Sequence, residues 1–127
     1  MKTAREVYER SLALLGMEES ENTEGYLQRA PHLINLLLAH LSGLDEAMKG
    51  GGPEIGAALP QIHSLSEPLG AQDVIVYSLL PLGLAGLLIQ EEEPERASFF
   101  FNLYQREKAE WQERSLRGRR HKIRRGV

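Results

Sequence analysis

The chain of 127 residues contains no cysteine. That excludes a disulfide scaffold, thiolate metal sites and a cysteine nucleophile, and it favours an intracellular origin. Charge is missing from Val74 to Ile89, a stretch of 16 residues, and acid is missing from residues 114 to 127. The short patterns that carry chemistry are missing too. There is no Gly-x-Ser-x-Gly elbow, and the glycines at 50–52 have neither a strand before them nor the lysine of a phosphate-binding loop after them. The four histidines, His32, His40, His63 and His121, form no i, i+4 pair enclosing an acid. No metal or other cofactor is therefore expected. Without convergent polar residues, no enzymatic activity is expected either. The opening Met1-Lys2-Thr3-Ala4-Arg5-Glu6 lacks the apolar centre of a secretory signal, so export by that route is not expected.

What is present suits one globular domain: 42% hydrophobic and 26% charged residues in a chain long enough for a single core. The net charge of −3 hides a split. Residues 1–113 carry eight Lys/Arg and all 18 Asp/Glu, or −10, whereas residues 114–127 carry seven Lys/Arg, or +7. An acidic body with a basic tail is a layout of chains that bind nucleic acid or acidic neighbours. A solvated, frayed terminus has the same composition.

Periodicity predicts an all-α domain of four helices. Thr3-Ala4-Arg5-Glu6 reads as a capping box, followed by Val7, Tyr8, Ser11, Leu12 and Leu15 at helical spacing and by Gly16 as the stop. A second helix is expected from about Glu24 to Met48, with Asn22 and Thr23 as caps. Its apolar stripe is Leu27, Ala30, Ile34, Leu37, Leu38, Leu41 and Leu44, widened by Leu33 and Leu36. Pro31 inside this pattern predicts a kink or a break. Asn35 lies among these leucines, either partly exposed at the stripe's edge or buried and bonded to a neighbouring helix or loop.

Residues 50–72, with Pro53, Pro60 and Pro68, are expected to form a long loop held down by Ile55, Leu59, Ile62, Leu65 and Leu69. The third helix, about Ala71 to Gln90, is apolar nearly all round. At 16 uncharged residues it is short for a bilayer span, which needs about 20. It is expected at the centre of the core, not in a membrane. Glu91, Glu92, Glu93 and Pro94 then open a fourth helix carrying Ala97, Phe100, Phe101, Tyr104 and Trp111 on one face, with Gly118 as its expected end. The third and fourth helices are expected to form an antiparallel hairpin. The domain accordingly spans residues 1–117, and 118–127 is expected to be a flexible basic tail.

Three stretches together resemble a known family. "TAREVYERSLALLGM" is similar to the opening helix of head–tail connector (neck adaptor) proteins of tailed bacteriophages and prophages, and "YLQRAPHLINLLLAHL" to their second helix. "LPLGLAGLLIQEEEPERASFFFNLYQREKAEW" resembles their third and fourth helices, in which a small-residue apolar helix ends in acids before an A-x-x-F-x-x-x-Y pattern. Here those positions are Ala97, Phe100 or Phe101, and Tyr104. The likeness covers roughly residues 3 to 111; the loop at 50–72 and the interruptions at Pro31 and Pro81 depart from it.

The resemblance implies a structural subunit, a homo-oligomeric ring on assembly and a monomer alone, joining the portal protein to tail or stopper proteins and extending the DNA channel. Its place would be the virion neck, reached from the host bacterial cytoplasm. On this reading Arg117, Arg119, Arg120, Lys122, Arg124 and Arg125 are candidate partner or DNA contacts. Glu91, Glu92, Glu93 and the off-stripe aromatic Phe99 are candidate subunit contacts. The alternative is a bacterial helical module that binds protein or nucleic acid through its basic tail.

Overall fold

The structure is a computed structural model and describes residues 2–48 and 61–125, with side chains at 2–45, 47, 48 and 61–116. Among the described residues there are four α-helices and no strand: α1 (Ala4–Leu15), α2 (Glu24–Met48), α3 (Leu80–Ile89) and α4 (Pro94–Arg125). Residues 50–60 of the expected loop, with Ile55 and Leu59, lie outside the described residues.

Thr3 caps α1, its Oγ1 accepting from the Glu6 amide at 3.3 Å. The Glu6 carboxylate does not complete the expected capping box. Its charge instead adds to burial in raising the pKa of the Tyr77 phenol. The next orphan amides of α1 are taken up by the returning chain, Ala4 donating to the Glu67 carbonyl at 3.2 Å and Arg5 to that of Leu65 at 2.8 Å. Gly16, at φ 72°, adopts the left-handed conformation that closes a Schellman turn, with the Met17 amide on the Leu12 carbonyl at 2.9 Å.

Ser20, not Asn22, starts the next element. Its hydroxyl accepts from the Asn22 amide at 3.2 Å and Thr23 Oγ1 accepts from the Ser20 amide at 2.9 Å, forming a capped 3₁₀ turn that leads into α2. Helix α2 continues through Pro31 without a break. Ala30, Ile34, Leu37, Leu38, Leu41 and Leu44 are buried as the stripe requires, but Leu27 and Leu36 are exposed.

A π-helical turn, Ile75–Leu79, precedes α3, and the Leu80 amide reaches back five residues to the Ile75 carbonyl. Pro81 follows at once. A proline has no amide to offer, and its ring crowds the carbonyl four residues earlier, so widening the preceding turn relieves the conflict. Asp45 of α2, fully buried, supports this start by accepting from the Gln72 amide at 2.9 Å.

Helix α3 is the centre of the molecule. Leu80, Leu84, Ala85, Leu88 and Ile89 are buried, and α1, α2 and α4 all pack against it. Burying each large side chain here contributes about 1.5–3 kcal/mol. No helix among the described residues is long and apolar enough to cross a membrane. The tight turn at residues 90–93 makes α3 and α4 the expected antiparallel hairpin, with Ala97, Phe100 and Tyr104 facing inward. Two glycines allow close approach: a Cβ at Gly83 would lie 2.8 Å from Leu37 Cδ2, and one at Gly86 would lie 2.6 Å from Phe101 Cε1. Helix α4 passes the expected stop at Gly118 and runs to Arg125. A glycine inside a helix costs only about 1 kcal/mol relative to alanine, which need not end it.

Candidate functional site

Helix α4 organises the candidate residues into two ends and two flanks. At its start, Glu91, Glu92 and Glu93 are exposed. The turn that holds them is closed by the Glu92 and Glu93 amides on the Ile89 carbonyl, at 3.1 and 2.8 Å. Negative charge is favourable here because the free amides of a helix start carry partial positive charge.

Two of these acids also have internal partners. Tyr26 of α2 donates to Glu92 Oε2 at 2.7 Å, and Arg96 lies 3.6 Å from Glu93. Burial, and then the hydrogen bond to Glu92, push the Tyr26 phenol up to about 12. Arg96 also donates to the Leu15 carbonyl at 2.7 Å, tying the start of α4 to the end of α1. The acidic end is thus a fixed feature, braced by α1 and α2.

At the other end, Arg114 lies over the Trp111 ring at 4.7 Å. Arg117, Arg119, Arg120, Lys122, Arg124 and Arg125 follow on the same continuous helix. Their side chains lie outside those described. A helix of 32 residues is about 48 Å long at 1.5 Å per residue, so the acidic and basic candidates stand at opposite ends of one rod. The structure does not bring the two groups together within one chain.

On the flanks, Phe99 is the most exposed large apolar side chain among the described residues, at 59%. Its ring rests edge-on against Phe100, with centroids 5.5 Å apart. Beyond it on the same strip are Leu103 and Arg106, which line an open groove of about 500 Å³ against Leu82 of α3. A neighbouring groove of about 390 Å³ runs between α1 and α3, where Arg10 lies 4.6 Å over the Tyr77 ring.

The opposite flank holds a smaller cavity of about 160 Å³ between α2 and α4, lined by Leu36, His40, Leu87, Phe101 and Tyr104 and floored by Gly83. This groove is hardly legible in the sequence. Its only local signals were the exposed stripe-edge position of Leu36 and a glycine in the middle of an apolar helix. Tyr104, 5% exposed, contributes a buried hydroxyl with no hydrogen-bond partner among the described atoms, and burial raises its pKa.

The described histidines, His32, His40 and His63, are exposed, and among the described residues no three His, Cys, Asp or Glu side chains group as metal ligands. The arrangement offers charged ends and apolar flanks, which suit binding between macromolecules. No family model matches this chain, and no curated protein or solved structure matches it.

Proposed function

We propose that this chain is a structural subunit of the head–tail connector of a tailed bacteriophage or prophage, acting by assembly and not by catalysis. Copies would form a ring in the virion neck between the portal protein and tail or stopper proteins, around a channel through which DNA passes. The observation that carries this reading is the charge separation along α4. Its first turn follows three exposed glutamates, and its last 12 residues include Arg114 and the six basic residues beyond it within a segment free of acid. A rod with unlike ends can present one to each axial partner while its flanks remain available to neighbours around a ring. The order of four helices and the buried Ala97, Phe100 and Tyr104 are compatible with the family resemblance.

A second reading rests on the basic run itself, which would attract the phosphates of nucleic acid. Arg117, Arg120 and Arg124 recur at helical spacing, but Arg119, Lys122 and Arg125 fall between them, so the basic positions are not confined to one face. A general electrostatic contact fits this pattern better than a helix face shaped for one groove.

Deletion of residues 118–127 separates the readings. A connector that docks through its basic end loses attachment to portal-bearing heads while its weak, salt-sensitive DNA binding changes little. Intact attachment with collapsed DNA affinity would make the tail a nucleic-acid contact. A full-length chain that never associates with such heads overturns the connector reading.

A further inference from the structure

We infer that the α2–α4 groove is the receptor for Phe99 of a second copy of this chain, so that copies pair flank to flank. The inference deepens the proposed ring and rests on that reading only for closure of the ring.

Size selects the occupant. The groove encloses about 160 Å³, well below the roughly 300–1,000 Å³ of small-molecule sites. An apolar cavity of about 150 Å³ holds one benzene ring. Leu36, Leu37, Leu87 and Phe101 line it together with His40, Tyr104 and Gln105, and no carboxylate, lysine or arginine takes part. An incoming ring would therefore desolvate no charge, and Phe101 and Tyr104 offer it aromatic edges and faces. The two larger grooves differ: Arg10 borders one, and Arg106, Glu107 and Arg114 border the other.

Among the described residues, the exposed large apolar side chains are Leu14, Leu27, Leu36, Phe99 and Leu116. Only Phe99 carries a phenyl ring, and at 59% it is the most exposed. It is held in the second turn of a long helix and braced on Phe100, so little freedom is lost when it docks.

Knob and groove lie on opposite flanks of α4. At about 100° per residue, Phe99 falls on the strip of Leu103 and Arg106, about 160° around the helix from Phe101 and about 120° from Gln105. A single chain cannot fill its own groove with this ring. Two copies facing across a two-fold axis would need knob and groove on the same face. The pairing is instead heterologous, each copy giving its knob to one neighbour and its groove to another, and such contacts close into rings when the rotation allows.

The absence of cysteine makes the test direct. Arg106→Cys marks the knob side, two turns beyond Phe99 on the same strip, and His40→Cys marks the groove; both native side chains are exposed. Purified at millimolar concentration and treated with a short bis-maleimide, a mixture of the two variants should give cross-linked dimer, and neither alone should. Adding Phe99→Ala to the Arg106→Cys chain should cut the product at least about tenfold, the loss typical of a central aromatic anchor. Its unchanged thermal melt would show that folding is intact. Cross-linking by His40→Cys alone indicates a two-fold contact between grooves, and by Arg106→Cys alone one between knobs; either overturns the inference, as does no mixed product. Mixed cross-linking without attachment to portal-bearing heads would keep the pairing and remove the connector reading. Attachment without mixed cross-linking would do the reverse.

Discussion

The side-chain amide of Asn35 holds the backbone of Ile62 at both of its polar groups: Nδ2 donates to the Ile62 carbonyl and Oδ1 accepts from its amide, each at 2.8 Å. This pins the returning chain to α2, while Ile62 and Leu65 enter the core and residues 65–69 bond the start of α1. Asn35→Ala removes two hydrogen bonds and leaves two half-buried backbone groups to find water. A loss of roughly 2 kcal/mol is expected, read as a lower midpoint in denaturant with an unchanged slope. Asn35→Asp should also destabilise, because a carboxylate cannot donate to the carbonyl.

Gly86→Ala tests the closeness of α3 and α4. Alanine is the better helix former by about 1 kcal/mol, yet the new Cβ would meet Phe101 Cε1 at 2.6 Å. Phe101 is half-buried and can move only in part, so a net destabilisation of about 1–3 kcal/mol is expected. The double variant with Phe101→Ala should be less destabilised than the two single effects added together. Additive effects in that cycle would mean the two residues do not touch.

Tyr104→Phe should leave stability unchanged or raise it by about 1 kcal/mol. The hydroxyl it removes is buried without a partner among the described atoms, and such a group carries an uncompensated desolvation cost. A clear destabilisation in a thermal melt would mean that the hydroxyl is bonded, to water or another group.

Stability should decline at both extremes of pH, for opposite reasons. All four tyrosines, Tyr8, Tyr26, Tyr77 and Tyr104, are raised above their ordinary value of 10, in each case chiefly by burial. A raised pKa gives stability that is complete below pH 10 and lost as pH climbs through the folded value, to about 12 for Tyr26. Ultraviolet titration should find tyrosinate appearing later in the native protein than in denaturant, and Tyr26→Phe should remove the last step. Glu67 behaves in the other sense. The Ser64 and His63 amides hold its carboxyl below the ordinary 4.5, so its contribution is present above that pH and lost below it. Native and unfolded tyrosines titrating together would refute this account.

Local chemistry determined much of this molecule. Thr3 and Gly16 bound α1 because a cap and a left-handed glycine act within one turn, and the span of α2 follows from an uninterrupted 3.6-residue period. The central position of α3 was legible because a helix without charge has no face to give to water. The glutamates at 91–93 were legible as a helix start by the same local rule.

Other features depend on what lies across the fold. Sequence left Asn35 with two readings, and only the approach of Ile62, 27 residues away, selected one. Asp45 is buried beneath the start of the third helical segment, a place decided only by the approach of Gln72, 27 residues away. Tyr26 and Glu92 are 66 residues apart, and the α2–α4 groove exists only because Gly83 lets three helices converge. Propensity and capping act over a few residues, with energies near 1 kcal/mol each, and so are written in the chain. Hydrogen bonds and cavities between distant segments depend on distances that are set only when the helices pack.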